Sequence, residues 1–168
     1  AMETSGLSPY TRRGYQGALR DFLLWLKAEG IFDLAGISRQ VMTDYALCLS
    51  YAGRADEGIE HARKAMRLNP YHYEWYTSQL GKIYFDARQY DKAIATFASL
   101  RSLDSAFIRI YQATSFAAAG NQQQAQKSVK RALAFDAGAT LEKWTDPKLA
   151  PYGDAAYLEH FRKNLRMA

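Results

Sequence analysis

The chain has 168 residues, of which 48% are apolar and 23% charged, so it can form a folded core and is not disordered as a whole. Its one cysteine, Cys48, excludes an internal disulfide and a multi-cysteine metal site. The net charge of +5 comes from mixed charges, which are typical of solvated helix faces and not of a basic stripe for nucleic acid. The sequence contains neither an apolar run long enough to span a membrane nor an apolar signal core. We therefore expect a cytoplasmic protein with no membrane association.

The first predicted element is a helix at Leu7–Glu29. Ser8 followed by Pro9 is typical of a helix N-terminus, and Gly30 is typical of the residue that follows a helix. We expect residues 1–38 to form an N-terminal helical segment that caps the repeats described next. Its apolar face consists of Tyr15, Leu19, Phe22, Leu23, Trp25 and Leu26.

Residues 39–137 contain three similar units, which we assign to 39–73, 74–105 and 106–137. Equivalent positions recur after 35 and then 32 residues, and each unit has the pattern of two helices joined by a turn. A fixed period of this length is typical of a helical solenoid. The equivalent residues are Ala46, Gly53, Gly58, Ala65 and Pro70 in the first unit, Gly81, Arg88, Ala93, Leu100 and Ser105 in the second, and Ala113, Gly120, Ala125, Ala132 and Ala137 in the third.

The second unit resembles the tetratricopeptide repeat, which has about 34 residues. The residues that carry the resemblance are Leu80, Gly81, Tyr84, Tyr90, Ala93 and Phe97. Small residues allow the two helices of a unit to cross closely, and the aromatic residues fill the space beside them. The third unit departs from the pattern at Gln122 and Ala137. The resemblance implies an all-α solenoid of three helix-turn-helix repeats with an extra N-terminal helix and a C-terminal capping helix.

Residues 138–168 do not form a fourth unit. Trp144, Leu149 and Pro151 indicate an irregular crossing, after which Asp154 is predicted to cap a last helix. We expect this region to cap the solenoid, since terminal units need a polar outer face. The residues predicted to face inward are Tyr157, Leu158, Phe161 and Leu165.

Residues 42–168 also resemble the C-terminal repeat region of bacterial class III adenylate/guanylate cyclases. The similar segments are 52–57, 65–70, 75–76 and 157–166. The cyclase catalytic domain is absent from this sequence, so the resemblance implies no cyclase activity. It implies instead a regulatory part of a larger signalling protein.

Residues 7–50 are similar to the start of the SAM-like core-binding domain of tyrosine recombinases, which clamps DNA. Only the first two helices of that domain could be present, and its catalytic tyrosine domain is absent. A DNA-binding fragment fused to repeats is therefore the alternative function, although we expect no specific binding to duplex DNA. The similar residues are Leu7 to Thr11, Tyr15, Leu19, Phe22, Trp25, Leu26, Gly30, Leu34, Ile37 and Tyr45.

The sequence shows no catalytic motif. His61, His72 and His160 are far apart and form no metal-ligand pair, and we find no phosphate-binding loop. Cys48 lies on an apolar helix face, where we expect a buried, inert thiol. We therefore predict a protein that is not an enzyme and that has no catalytic residues, no metal site and no cofactor.

The tetratricopeptide resemblance implies that the first helix of each unit lines a concave groove. We predict an apolar, aromatic groove with one lysine, which suits an amphipathic helix or an extended peptide of a partner protein. The alternative is that the N-terminal helix or the tail fills the groove, either in cis or across a homodimer. The predicted groove residues are Thr43, Leu47, Tyr51, Trp75, Ser78, Lys82, Phe85, Phe107, Ile110 and Thr114.

Overall fold

Helices are the only regular secondary structure in the part of the chain that the computed structural model describes, namely residues 20, 24, 27, 39–68, 73–138, 140–146 and 150–168. For residues 39–42 this description covers the backbone alone. The chain divides into two compact units, residues 1–38 and 39–168. Most of the predicted N-terminal helix lies outside the described residues, and so do Pro70 and His72. The all-α class is confirmed for the described residues.

The second unit consists of three helical hairpins followed by a C-terminal pair of helices, as far as its residues are described. Within it, α3 packs against both helices of the first hairpin, and α5 packs against both helices of the second. The last helix, α8, packs mainly against α5. The helices are α1 (Arg39–Tyr51), α2 (Ala55–Leu68), α3 (Glu74–Asp86), α4 (Tyr90–Ala98), α5 (Ala106–Ala118), α6 (Gln122–Phe135), α7 (Leu141–Trp144) and α8 (Ala155–Met167).

The three hairpins turn in the same way. Gly53, Arg88 and Gly120 follow the first helix of each hairpin and have φ values of 79°, 60° and 79°. The next N–H in each turn donates to a carbonyl five residues back, at 2.8 to 2.9 Å, which closes the helix end with a left-handed cap. Arg88 is the one residue with a side chain at this position, where glycine is favoured.

Glycine permits close helix crossings within the first two hairpins. A Cβ on Gly58 of α2 would lie 2.7 Å from the carbonyl oxygen of Ala46 on α1. A Cβ on Gly81 of α3 would lie 2.8 Å from the ring of Phe97 on α4. Ala93 of α4 is fully buried. The predicted role of Gly81 in a close helix crossing agrees with its contact.

Helix α3 lies at the centre of the second unit. Every residue from Ser78 to Asp86 is buried, which is expected of a helix with neighbours on all sides. Cys48 on α1 is exposed, so the prediction of a buried thiol was wrong. None of the described helices is both long and apolar enough to cross a membrane.

Candidate functional site

The ten residues predicted to line a groove all lie on α1, α3 and α5, the first helices of the three hairpins. Only Trp75 among them is exposed, with 41% of its surface accessible. The structure therefore places most of these residues inside the protein and not on an open surface. The buried ones are Thr43, Ser78, Lys82, Phe85, Ile110 and Thr114, and the half-buried ones are Leu47, Tyr51 and Phe107.

The C-terminal segment, residues 150–168, contacts all three of these helices. The backbone N–H of Gly153 donates to the carbonyl oxygen of Tyr51 on α1 at 2.9 Å. The Tyr152 hydroxyl donates to a carboxylate oxygen of α3, and the Phe161 ring stacks on α5. We call the surface of α1, α3 and α5 that holds this segment the inner face. Of the occupants that the sequence left open, these contacts show the tail in cis, whereas most of the N-terminal helix lies outside the described residues.

A buried ion pair lies at the centre of the inner face. Lys82 Nζ lies 2.5 Å from Asp86 Oδ2, and these residues of α3 are 0% and 3% exposed. Ser50 of α1 donates its hydroxyl to the same Asp86 oxygen. Tyr152 of the C-terminal segment donates to the other oxygen, Oδ1, at 2.9 Å. Because both carboxylate oxygens accept hydrogen bonds, the desolvation cost of the buried pair is offset.

Tyrosine rings surround the ammonium group of Lys82. Its Nζ lies 3.4 Å from the ring centroid of Tyr51 and 4.8 Å from that of Tyr152, which gives two cation–π contacts. Burial lowers the pKa of Lys82, and the neighbouring Asp86 opposes this change. Burial and the charge of Asp86 raise the pKa of Tyr152 well above its usual value. The Tyr152 hydroxyl therefore keeps its proton and remains a hydrogen-bond donor.

An aromatic cluster lies beside the ion pair. The Phe161 ring lies 5.0 Å from the ring of Tyr111 and 6.1 Å from that of Phe85. The His160 ring stacks on Phe85 at 5.1 Å, and its Nε2 lies 3.3 Å from the Tyr90 hydroxyl oxygen. Burial is the main cause that lowers the pKa of His160, so the stacked ring is uncharged at neutral pH. The middle of α8 thus packs on the inner face through aromatic rings, and the residues before α8 contact the ion pair.

The N-terminal ends of α3 and α5 are more exposed. The Trp75 and Phe107 rings lie 6.0 Å apart, and Tyr73 just before α3 is 82% exposed. We call these three residues the open edge. Next to them, the Glu74 carboxylate accepts hydrogen bonds from the backbone N–H groups of residues 101–103 and so holds the loop between α4 and α5.

Sequence reasoning missed two central residues of this arrangement, Asp86 and Tyr152. The spacing of Lys82 and Asp86 was an available signal, because residues four apart lie on one side of a helix. Tyr152 gave no local signal, since its partner is distant in the chain. The cap of α8 was predicted correctly: the Asp154 side chain accepts from the N–H of Ala156 at 2.8 Å. Phe161 faces inward as predicted and is fully buried.

The described histidines pack against aromatic rings. His61 meets the Tyr45 ring edge-on at 5.3 Å, and His160 belongs to the aromatic cluster. No group of three or more His, Cys, Asp and Glu residues that could hold a metal ion occurs among the described residues. That the protein is not an enzyme and needs no cofactor stays a prediction.

A comparison of the chain with protein-family models and with curated proteins found no match in either set. The resemblances to the tetratricopeptide repeat, the cyclase repeat region and the recombinase domain therefore rest on residues of this sequence alone.

Proposed function

We propose that residues 39–168 form a protein–protein interaction module of the tetratricopeptide type, which binds a peptide or a partner helix on the inner face. Three features support this proposal. The second and third hairpins each pack their first helix against both helices of the hairpin before them. The three turns share one left-handed geometry at equivalent positions. Small residues lie at the helix crossings, as the repeat requires. The cyclase resemblance extends the proposal to a regulatory part of a larger signalling protein.

The observation that carries the proposal is the C-terminal segment on the inner face. This face holds a helix through a stacked phenylalanine and a tyrosine hydroxyl, which is the chemistry of helix-in-groove recognition. The open edge continues this surface with two exposed aromatic side chains, Tyr73 and Trp75. Tryptophan and tyrosine are enriched among residues that dominate binding energy, so we assign Trp75 to partner contact.

Affinity capture with a matched pair of variants tests this function. Trp75→Ala alters the open edge, and Leu133→Ala alters α6 at a residue of similar exposure, 41% against 44%. We expect mass spectrometry to identify a partner that the wild type and Leu133→Ala retain at equal yield and that Trp75→Ala loses. Partners recovered equally by all three proteins would contradict the proposal.

A further inference from the structure

The C-terminal segment divides into two parts that contact the inner face differently. Residues before α8 supply Tyr152, whose hydroxyl reaches the Lys82–Asp86 pair, and Gly153, whose N–H pairs with the backbone of α1. Helix α8 then supplies Phe161, nine residues after Tyr152, for the aromatic cluster. The inner face therefore recognises a hydroxyl-bearing aromatic residue followed at this distance by an aromatic residue on a helix.

Helix α8 has fewer buried residues than the central helix α3, although the half-buried Tyr157, His160 and Leu165 also contact the other helices. Only Phe161 and Asn164 of its thirteen residues are buried, whereas ten of the thirteen residues of α3 are buried. Regions with few buried contacts open locally at lower free-energy cost than the core. We therefore expect α8 to leave the inner face without unfolding of α1, α3 and α5.

The buried ion pair can survive this opening. When the C-terminal segment leaves, Asp86 loses the Tyr152 hydroxyl, and Lys82 loses the Tyr152 ring. Both groups then become accessible to water, which replaces the lost hydrogen bond. Ser50 and the Lys82–Asp86 contact itself come from α1 and α3 and do not depend on the segment. The site is thus preorganised for a second ligand with the same pattern.

We propose that the C-terminal segment is a displaceable occupant of the inner face, and that the partner displaces it with a segment of the same pattern: a tyrosine just before an amphipathic helix, followed nine residues later by an aromatic residue within that helix. This inference rests on the proposed function and names the class of its partner. The tethered segment competes at high effective concentration, so the free chain binds such a partner weakly and the opened chain binds it strongly.

A disulfide can lock the segment for the test. A Cβ on Gly53, in the turn between α1 and α2, would lie 3.4 Å from the Cβ of Asp154. Disulfides have Cβ separations of about 3.5–4.5 Å, which is close to this distance, so a small shift of the turn allows Gly53→Cys with Asp154→Cys to form one. The exposed Cys48 is replaced by serine in every protein compared. Gly53→Cys alone is the control for strain at its positive φ of 79°.

The probe is a fluorescent synthetic peptide of residues 150–168, and binding is followed by anisotropy. We expect Phe161→Ala in the full chain to bind this peptide at least about tenfold more tightly than the wild type, because its own segment competes less. The oxidised double-cysteine chain should bind no peptide, and reduction should restore binding to at least the level of Gly53→Cys alone, because Asp154→Cys also removes the cap of α8. A control peptide with Tyr152→Phe and Phe161→Ala should bind none of the proteins.

Equal peptide binding by the oxidised and reduced double-cysteine chains would overturn the proposal, even if Phe161→Ala does not fold. A concentration-dependent dimer that oxidation abolishes would also overturn it, because the occupant would then be a second copy of the chain. If the peptide does not bind while the Trp75-dependent partner is still captured, the inference fails and the proposed function stands.

Discussion

The two ends of α3 differ in what covers them. At the C-terminal end of α3, Lys82, Phe85 and Asp86 are almost fully buried and contact the C-terminal segment. At the N-terminal end, Trp75 and Tyr73 are exposed, and their neighbour Glu74 binds only a loop. Apolar residues alone do not decide which end is covered, since both ends carry them. We call the C-terminal end of α3 the covered end. It differs from the N-terminal end in having a polar anchor, the Asp86 carboxylate, which binds the C-terminal segment.

The largest difference in stability between substitutions at the two ends is expected when Lys82 is replaced. Lys82→Ala leaves the Asp86 carboxylate buried and unpaired, which we expect to destabilise the protein by about 3–5 kcal/mol. Trp75→Ala at the exposed end should cost below about 1 kcal/mol. Urea unfolding measures both values. The double variant Lys82→Met with Asp86→Leu should recover most of the loss, and equal losses in the single and double variants would contradict the role of the ion pair.

Removal of the Tyr152 hydroxyl should loosen the covered end specifically. Tyr152→Phe deletes a hydrogen bond to a charged group, and such bonds contribute roughly 1.5–3 kcal/mol. The matched control is Tyr73→Phe at the open edge, where the side chain is 82% exposed and the expected change is within about 0.5 kcal/mol. Urea midpoints that shift equally for the two variants would show that the hydroxyl does not anchor the segment.

The turn between α3 and α4, which follows the covered end, contains backbone strain that a substitution can remove. Arg88 has φ of 60°, a conformation that costs a residue with a Cβ about 1 kcal/mol relative to glycine. Arg88→Gly should therefore raise the free energy of unfolding by about 1 kcal/mol, and Gly120→Ala at the equivalent turn should lower it by a similar amount. The site of Gly120 has no neighbour within 4 Å of a Cβ, so that cost is conformational. Thermal unfolding of both variants checks the opposite signs.

The covered end should respond to mildly acidic pH. The pKa of His160 is lowered from 6.5 by burial, by Arg88 and by Lys163, and Asp86 partly opposes them. The unfolded chain therefore binds more protons as the pH falls below 6.5, and stability declines through that window. We expect faster hydrogen exchange in α8 as the pH is lowered from 7, after correction for intrinsic rates. In His160→Phe this dependence should vanish, and its persistence would assign it to another group.

The open edge should respond only at stronger acidity. Backbone N–H groups of residues 101–103 lower the pKa of Glu74 from 4.5 to about 2. The stabilisation is complete above pH 4.5 and is lost as the pH falls through about 2, since the unfolded chain takes up the proton first. Acid unfolding of Glu74→Gln should lack this contribution. If the wild type and Glu74→Gln lose stability in the same way as the pH falls toward 2, this contribution of Glu74 is contradicted.

Local sequence patterns predicted much of the fold, but they did not predict that the C-terminal segment covers the inner face. Capping at Asp154, the close crossing at Gly81 and the turn positions follow from short-range rules that act within one helix or one hairpin. The burial of Lys82 does not follow from its own helix, because its partner rings come from Tyr51 and Tyr152. A periodic pattern marks the side of a helix that faces other groups, but it does not say whether those groups belong to the same chain.

Native-state hydrogen exchange of the unmodified chain tests the displaceable segment most directly. The measurement compares amides of α8 with amides of α3 at neutral pH as a function of low urea concentration. We predict that α8 exchanges through a local opening, faster than α3 and with little urea dependence, because only two of its residues are buried. If the amides of α8 and α3 exchange with the same free energy of opening and the same urea dependence, the segment leaves only on global unfolding. That result would contradict its displacement by a partner.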